Sequence, residues 1–337
     1  MAGNTAISTT FDRVFSTTHP QVMPKVWDNI TTDIPFVHYL AEAGRVRFVE
    51  GGSALDFNVF KELGNAVGYA SGTSTLTPVS LDPVTRGRYV WKNIALPFKI
   101  PGPDLRRNQG PTQIADLMAV VVESVRASFA EALGGSAVGV WSTADETSEG
   151  IVTGIQNIVA TNTTDNTAGT TGNIARSNTW WRNQIGTAIT DFSAHGIARM
   201  RSALFAAQRG NETTDLITMD STSFQNLLSA LTSTFQFNLP MEMRVASTGM
   251  LDVGVPGVNF HGALIIKDAN CPLGEARGLN TKYVALHVHR NTNLVFSEWV
   301  SMLPVGEDAL AASALWMGNL VATGLARHWG LEGANTD

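Results

Sequence analysis

The sequence predicts an α+β protein in which an extended N-terminal arm and a long β-hairpin precede one long helix and a compact lobe. Three observations support this prediction. Prolines and sparse apolar residues characterise residues 1–44, apolar residues alternate with polar ones on both sides of a Gly-, Ser-, Thr- and Pro-rich stretch at 61–87, and an apolar stripe with helical spacing follows Pro111. The chain has 337 residues, of which 44% are hydrophobic. That composition suffices for a real core and for about two lobes.

The arm, residues 1–44, is expected to be extended with short helical pieces. Pro20, Pro24 and Pro35 interrupt any long helix there, because proline lacks the backbone donor and clashes with the preceding turn. The apolar residues of this region are too sparse to close a core of their own. The arm is therefore expected to lie against another surface.

The hairpin is predicted from two alternating runs, from Val46 to Val59 and from Tyr89 to Ile100. The polar, glycine-rich stretch between them forms a broad tip. An isolated two-stranded hairpin is only marginally stable in water. A hairpin of this length implies a supporting surface, either in the same chain or in a neighbouring subunit.

The strongest helix signal follows Pro111-Thr112, where Thr112 can cap the first turn. Its apolar residues recur at three- and four-residue steps down one face. The helix is predicted to end at Gly134-Gly135 and to act as a one-sided spine.

The second half of the chain predicts a compact α+β lobe. A helix begins near Asp191, a buried strand spans Leu216–Met219, and Asp220 or Ser221 caps a third helix. Most of the remainder is predicted as strand. The apolar stretch at 309–329 is ambiguous, because its Ala and Leu favour helix whereas its glycines do not.

Charge and cysteine content exclude several classes of protein. The net charge of −6 provides no global positive field for specific nucleic-acid binding. Cys271 is the single cysteine, so neither an intrachain disulfide nor a cysteine-based metal cluster can form. The start lacks a secretory signal and no stretch approaches the roughly 20 apolar residues of a bilayer span, so a protein soluble at synthesis, with no membrane partner, is expected.

Motifs for catalysis are missing from the sequence, including the Gly-x-Ser-x-Gly elbow, phosphate-binding and dinucleotide loops, His-Glu-x-x-His and calcium loops. No catalytic residue and no cofactor are therefore expected. His287 and His289 have the spacing of two metal ligands on one strand face, but no third ligand is nearby, so ordinary strand histidines are favoured over a metal site. Trp180-Trp181 is likewise interpreted as packing.

Several ordered segments stand out over the last half of the chain. They are Asn178-Thr179-Trp180-Trp181-Arg182-Asn183-Gln184, Val258-Asn259-Phe260-His261-Gly262, Ile265-Ile266-Lys267-Asp268, Gly278-Leu279-Asn280-Thr281-Lys282-Tyr283, His287-Val288-His289 and Leu315-Trp316-Met317-Gly318-Asn319-Leu320. Together these segments resemble the major capsid proteins of tailed bacteriophages, which have the Hong Kong 97 fold. The first half is similar to this family in the order of its elements.

The resemblance implies a domain organisation for the whole chain. It comprises an N-terminal arm (1–44), an extended loop or E-loop formed by the hairpin (45–100), the spine helix with the first part of the P domain (101–150), the A domain (151–278), and the return strands of the P domain with the C-terminus (279–337).

The function that the resemblance implies is mechanical. Copies of the chain would assemble as hexamers and pentamers into the icosahedral shell of a phage head that encloses double-stranded DNA. The implied partners are other copies of the chain, a separate scaffolding protein, a portal at one vertex, a decoration protein, and packaged DNA in nonspecific proximity. The expected location is the virion, after assembly in the cytoplasm of the host bacterium.

The candidate subunit contacts lie on the arm and the hairpin. They are Phe11, Phe15, Asp56, Lys61, Glu62, Arg86 and Arg88. One branch of the family forms a lysine–asparagine isopeptide crosslink with a carboxylate as base. Lys61 beside Asp56 or Glu62, with Asn291, Asn293 or Asn319 as acceptor, could be assigned to this chemistry. Surface charge on a hairpin accounts for Lys61 without it and is the favoured interpretation.

Two alternatives remain open from the sequence. An encapsulin-like nanocompartment shares the fold but encloses cargo enzymes rather than a genome. A secreted or surface hydrolase with an unrecognised site belongs to a different class, which more often carries a signal peptide and a compact set of catalytic residues.

Overall fold

The computed structural model describes residues 34–62, 80–107, 117–234 and 258–334. Phe11 and Phe15, the hairpin tip at 63–79 and the predicted cap Thr112 lie outside the described residues. Within the described part, no helix is long and apolar enough to cross a membrane.

The described α-helices agree with the periodicity of the sequence where it was strongest. Their bounds are α1 Pro35–Glu42, α2 Gly102–Arg107, α3 Leu117–Gly134, α4 Ile155–Ile158, α5 Thr163–Thr167, α6 Phe192–Ala207 and α7 Ser221–Thr234. The spine helix α3 ends at the predicted Gly134, and α6 and α7 begin after the predicted caps Asp191 and Asp220. Short 3-10 helices span Thr179–Trp181, Thr281–Tyr283, Leu303–Val305 and Leu325–Arg327.

The described β-strands vary widely in length. Their bounds are β1 Val46–Val49, β2 Leu55–Phe60, β3 Val84–Tyr89, β4 Lys92–Pro101, β5 Thr170–Thr171, β6 Ile174–Ala175, β7 Gln184–Ile185, β8 Leu216–Met219, β9 Val258–Phe260, β10 Ala263–Lys267, β11 Glu275–Leu279, β12 Val284–His289, β13 Val295–Phe296, β14 Val300–Ser301, β15 Ala309–Ala322 and β16 Trp329–Glu332.

The chain divides into two compact units. The smaller unit includes the described residues of Pro97–Ala127 and Glu298–Ala312. In it, the Lys99 Nζ donates to Glu307 Oε2 at 2.8 Å and the rings of Phe98 and Trp299 meet edge to face at 5.4 Å. The larger unit contains the described residues of Thr32–Leu96, Ser128–Ser297 and Ser313–Asp337.

The first sheet is organised around β15, which pairs antiparallel with β12, β13 and β14 and also with β4. On the far side of β12, β1 runs parallel to it, with Val46 opposite Leu286. The sequence did not distinguish helix from strand at residues 309–329. In the structure this stretch forms a strand over Ala309–Ala322, followed by a short 3-10 turn and the start of β16. Because neighbouring strands satisfy its backbone groups on both edges, tertiary pairing overrides the helix preference of its alanines.

The second sheet has the described strand order β7-β16-β11-β8-β10-β9, with α6 and α7 packed together beside it. The Asp191 carboxylate accepts from the Ala194 N–H at 3.0 Å and so caps α6. The Asp220 carboxylate accepts from the N–H groups of Thr222 and Ser223 and caps α7 in the same way. The predicted helix, strand and helix of the compact lobe are therefore confirmed.

Asn319 on β15 joins three segments of the larger unit. Its amide donates to the Val90 carbonyl at 2.8 Å, and its Oδ1 accepts from the Thr153 N–H at 2.8 Å. The side chain is fully buried, next to Gly318, where an added Cβ would lie 2.6 Å from the His287 carbonyl oxygen. The Trp-x-Gly-Asn-Leu segment therefore combines a buried polar tie with a close strand-to-strand approach.

The hairpin is shorter than its predicted range. Only β2 and β3 pair with each other, in the register Leu55 opposite Tyr89. The flanking runs that form β1 and β4 belong instead to the first sheet. Their alternating pattern identified them as strands but could not identify the strands with which they pair.

We expect Asn319→Ala to destabilise the protein by about 2–4 kcal/mol, since it removes the partner of the buried Thr153 N–H and that of the Val90 carbonyl. Urea unfolding followed by circular dichroism measures this loss. The matched control is Asn93→Ala, at an exposed position on β4, for which a change below about 0.5 kcal/mol is expected. Equal effects of the two substitutions would contradict the assigned role of Asn319.

Candidate subunit-contact surface

The two faces of the β2–β3 hairpin differ in burial. Leu55, Phe57 and Val59 on β2 face inward, as do Gly87 and Tyr89 on β3. The residues that alternate with them form what we call the hairpin outer face. Its members are Asp56, Asn58, Phe60, Val84, Arg86 and Arg88, and they are exposed. Strand alternation therefore divides the hairpin into a face that packs on its own subunit and a face that does not.

The inner face is seated firmly at the hairpin base. The ring of Phe57 stacks between Tyr89, at 5.7 Å, and Trp181, at 6.0 Å between centroids. It also lies directly over Gly87, where an added Cβ would come within 2.2 Å of the ring. The Arg88 N–H donates to the Gly172 carbonyl at 2.9 Å. The hairpin base is therefore supported by other residues of the same chain, as expected because a long two-stranded hairpin is only marginally stable alone.

Charges dominate the outer face near the base. The Asp56 carboxylate accepts from Arg88 Nε at 2.8 Å and also pairs with Arg86. The hydrogen bond from Arg88 makes the largest contribution to holding the pKa of Asp56 below its usual range, and Arg86 also contributes. Asp56 in turn raises the pKa of Arg88. Since the cluster lies in water, it contributes little to folding. Two arginines around one carboxylate nevertheless present an ordered, positively charged group to any neighbour.

The distal part of the outer face is apolar. Phe60 is 75% exposed and lies opposite Val84, which is 43% exposed. Beyond this pair, Lys61 forms an ion pair with Asp82 and its N–H donates to the Pro83 carbonyl at 2.9 Å. A phenylalanine held open on a two-stranded hairpin is an exposed apolar surface, which is suited to contact with another molecule.

The structure brings together three of the predicted contact residues, Asp56, Arg86 and Arg88, in one cluster. Lys61 lies further along the same hairpin, with Glu62 exposed beside it. Phe11 and Phe15 are outside the described residues. The contacts of these residues with another copy remain a prediction.

The structure argues against Asn319 as the acceptor of a lysine–asparagine crosslink. Asn319 is buried with both amide atoms hydrogen-bonded inside its own subunit, so it is a packing residue. Lys61 is engaged by Asp82, as expected of an ordinary surface charge on a hairpin. The structure thus supports the favoured interpretation of Lys61.

His287 and His289 are both half-buried and share a face of β12. Burial, with a smaller contribution from Arg47, lowers the pKa of His287 to about 4. His289 lies edge to face with Trp91, at 5.9 Å. Among the described residues no group of three or more His, Cys, Asp or Glu side chains is placed to hold a metal. His289 thus packs against Trp91 beside the first sheet.

Trp181 is a core residue, as predicted for the tryptophan pair. It is 1% exposed, and its indole Nε1 donates to the Thr171 carbonyl at 2.8 Å. Trp180 packs against the same core and contacts Trp181 at 5.9 Å between centroids. Through Trp181, the segment that resembles capsid proteins forms the platform on which Phe57 of the hairpin rests.

Sequence reasoning missed two buried charged residues beside the hairpin base, Lys92 and Glu146. Lys92 donates to the main-chain carbonyl of Glu146 at 2.9 Å and to that of Ser148. Burial lowers the pKa of Lys92. Glu146 belongs to residues 142–149, a polar stretch whose composition is typical of a surface loop. In the sequence, Glu146 is distinguished only by the carboxylates nearby at positions 145 and 149, and such clustering does not reveal burial.

No protein-family model and no curated protein matches this chain.

Several solved capsid structures have a similar fold. A chain of the cyanophage A-1(L) capsid asymmetric unit superposes with a TM-score of 0.70 at 14% identity, covering 95% of this chain and 98% of that one. The capsid of a native GTA particle gives a TM-score of 0.57 at 11% identity, covering 94% and 95%. The capsid of Myoviridae phage XM1 gives 0.55 at 10% identity, covering 93% and 96%.

These similarities extend over nearly the whole length of both chains, at identities low enough that they show a shared fold. The chain therefore has the α+β fold of tailed-phage capsid chains, and the predicted Hong Kong 97-type fold is confirmed.

We expect Gly87→Ala to displace the ring of Phe57 and to destabilise the subunit by about 1–3 kcal/mol, the usual effect of overpacking. A double-mutant cycle tests the cause. In a Phe57→Ala background the same Gly87→Ala change is expected to cost less, because the ring with which it clashes is gone. Additive free energies of unfolding would show that Gly87 matters for another reason.

Proposed function

We propose that the chain is the major capsid protein of a tailed bacteriophage, copies of which assemble as hexamers and pentamers into the icosahedral shell that encloses double-stranded DNA. The observation that carries this proposal is the match over 95% of the chain to a chain of a phage capsid asymmetric unit, itself covered to 98%. The match extends through the hairpin, spine helix, lobe and return strands. It therefore is not limited to one common substructure.

The exposed hairpin supports this function on physical grounds. Full burial of a phenylalanine or valine side chain is worth about 1.5–3 kcal/mol. The distal outer face offers such a pair in Phe60 and Val84, and the arginine cluster beside it provides orientation. A single contact of this size would not hold two proteins together against the cost of association. In a closed shell the same contact is repeated at every subunit, so modest contacts add up.

The predicted domain organisation is part of the proposal. The assignments of residues 1–44 as arm, 45–100 as extended loop, 101–150 as spine and first part of the P domain, 151–278 as A domain and 279–337 as P-domain return are retained. The strand pairing supports a refinement for the extended loop, since β2 and β3 pair with each other as a separate hairpin while β1 and β4 are strands of the first sheet.

The further partners are proposed on the resemblance alone. They are a separate scaffolding protein, a portal at one vertex, a decoration protein on the shell, and packaged DNA in nonspecific proximity, with assembly in the host bacterial cytoplasm before release in the virion. The net charge of −6 fits loose DNA contact, because an acidic shell does not grip a polyanion tightly. The proposed role is structural and requires no catalytic site.

The direct test is assembly of the purified chain, expressed with and without its genomic neighbours. Negative-stain electron microscopy and light scattering are expected to show shells, tubes, or rings of five and six subunits. DNA and a portal in particles made with the neighbouring genes would support a phage head, whereas enclosed cargo enzyme would favour a nanocompartment. A chain that stays monomeric even with a candidate scaffold would contradict the proposal.

The hairpin's part in assembly is tested by the double variant Phe60→Ser/Val84→Ser. We expect the unfolding free energy of the subunit to change by less than about 0.5 kcal/mol, because both side chains are exposed. The concentration needed for assembly should rise about tenfold or more, since buried apolar area is lost at every copy.

Leu273→Ser is the matched control, because Leu273 is 68% exposed and lies on a loop outside the hairpin. It should leave the assembly concentration unchanged. Equal loss of assembly in the double variant and the control would remove the special role assigned to the hairpin.

A further inference from the structure

A cavity of about 580 Å³ opens beside the hairpin base, where β3 passes into β4. Arg88, Val90 and Lys92 form part of its wall on the hairpin side. Glu146 and Glu149 form part of the opposite wall. The cavity has the volume of a typical small-ligand pocket, and its lining mixes charged, polar and apolar groups.

Glu146 is an unusual residue for such a wall, because its side chain is buried and only partly satisfied. The residue is 3% exposed. Its Oε1 accepts from the Asn173 N–H at 2.9 Å, whereas its Oε2 has no hydrogen-bond partner among the residues that the structure describes. A carboxylate withdrawn from water normally has several donors or a paired cation. Glu146 has one main-chain donor.

The basic residues near Glu146 bind to groups other than its carboxylate. The ammonium of Lys92 donates to the main-chain carbonyls of Glu146 and Ser148 rather than to the carboxylate. The guanidinium of Arg88 is held by Asp56 on the hairpin outer face. Arg176, buried behind the wall, donates to Thr171, to Asn166 and to the main-chain carbonyls of residues 157 and 158. The described part of the subunit thus leaves the charge of Glu146 without a direct cationic partner.

We propose that this cavity receives a basic side chain, arginine or lysine, from a second copy of the chain, and that Glu146 is the acceptor. The pairing rests on the proposed shell-forming function. Glu149 on the same wall adds a second carboxylate, so the site complements a cation.

The position of the cavity favours a second copy as the source of that side chain. Arg88 belongs to the hairpin outer face, and Val90 in the cavity wall is 46% exposed. A neighbour that covers the outer face would extend directly over the cavity. The carboxylate would then act as a register point, because a buried charge pair forms only when the two subunits are correctly aligned.

Glu146→Gln tests the pairing, since glutamine keeps the size and the Oε1 acceptor for the Asn173 N–H but lacks the charge. In subunits kept below the assembly concentration, the unfolding midpoint should rise or stay the same, because an unpaired buried charge is removed. The concentration needed for assembly should rise about tenfold or more, and its dependence on salt should weaken. Glu131→Gln, at an exposed position on α3, should change neither quantity.

The unfolding and assembly measurements on Glu146→Gln together distinguish a role of Glu146 in contacts between copies from a role within its own subunit. A Glu146→Gln subunit that melts lower would assign Glu146 to the stability of its own subunit and overturn the proposal, as would unchanged assembly. A wild-type chain that never assembles would overturn the proposed function itself. A cryo-electron microscopy reconstruction of wild-type shells provides a second test, in which a neighbour's guanidinium or ammonium should lie within hydrogen-bond distance of Glu146. A cavity without such a group would also refute the pairing.

Discussion

A two-stranded hairpin can bury only one of its faces, and this limit is the constraint on which the rest of the structure depends. In this chain the buried face is fully used, with Phe57 packed between Tyr89 and Trp181. The other face holds an arginine cluster and the exposed Phe60. The packed face and the exposed face of the hairpin therefore arise from the same alternation of side chains along two strands.

The base of the hairpin is tied to the first sheet by hydrogen bonds. Tyr89, at the end of β3, donates its hydroxyl to the Ala322 carbonyl at 3.1 Å, and Asn319 holds the Val90 carbonyl just beyond it. Both Asn319 and Ala322 belong to β15, the central strand of the first sheet. A neighbour that binds the hairpin would thus pull on the sheet rather than on a loose loop, which suits a mechanical role.

Much of this fold could be predicted from local pattern. The strand Leu216–Met219 and the starts of α6 and α7 were predictable because apolar periodicity and capping side chains are encoded within a few residues. The overall fold class followed from ordered resemblances around residues such as Trp181 and Asn319. Both are now seen to be buried structural residues, which is a physical reason for a fold to depend on them.

Other features depend on contacts distant in sequence and could not be predicted. Periodicity identified β1 and β4 as strands but assigned them to the hairpin, because a pattern of alternation carries no information about the pairing strand. The helix-or-strand ambiguity of residues 309–322 was resolved only by neighbours on both edges of β15. Glu146 could not be recognised, since its burial arises from β4 and from Asn173, neither of which is local to it.

Hydrogen–deuterium exchange, compared between free subunits and assembled shells, tests the central claim that neighbours complete the hairpin. The account predicts that the backbone amides of residues 55–60 and 84–89 exchange more slowly in shells, while those of the packed helix 192–207 change little. Equal exchange of the hairpin amides in the two states would contradict it, because the outer face would then remain open to water after assembly.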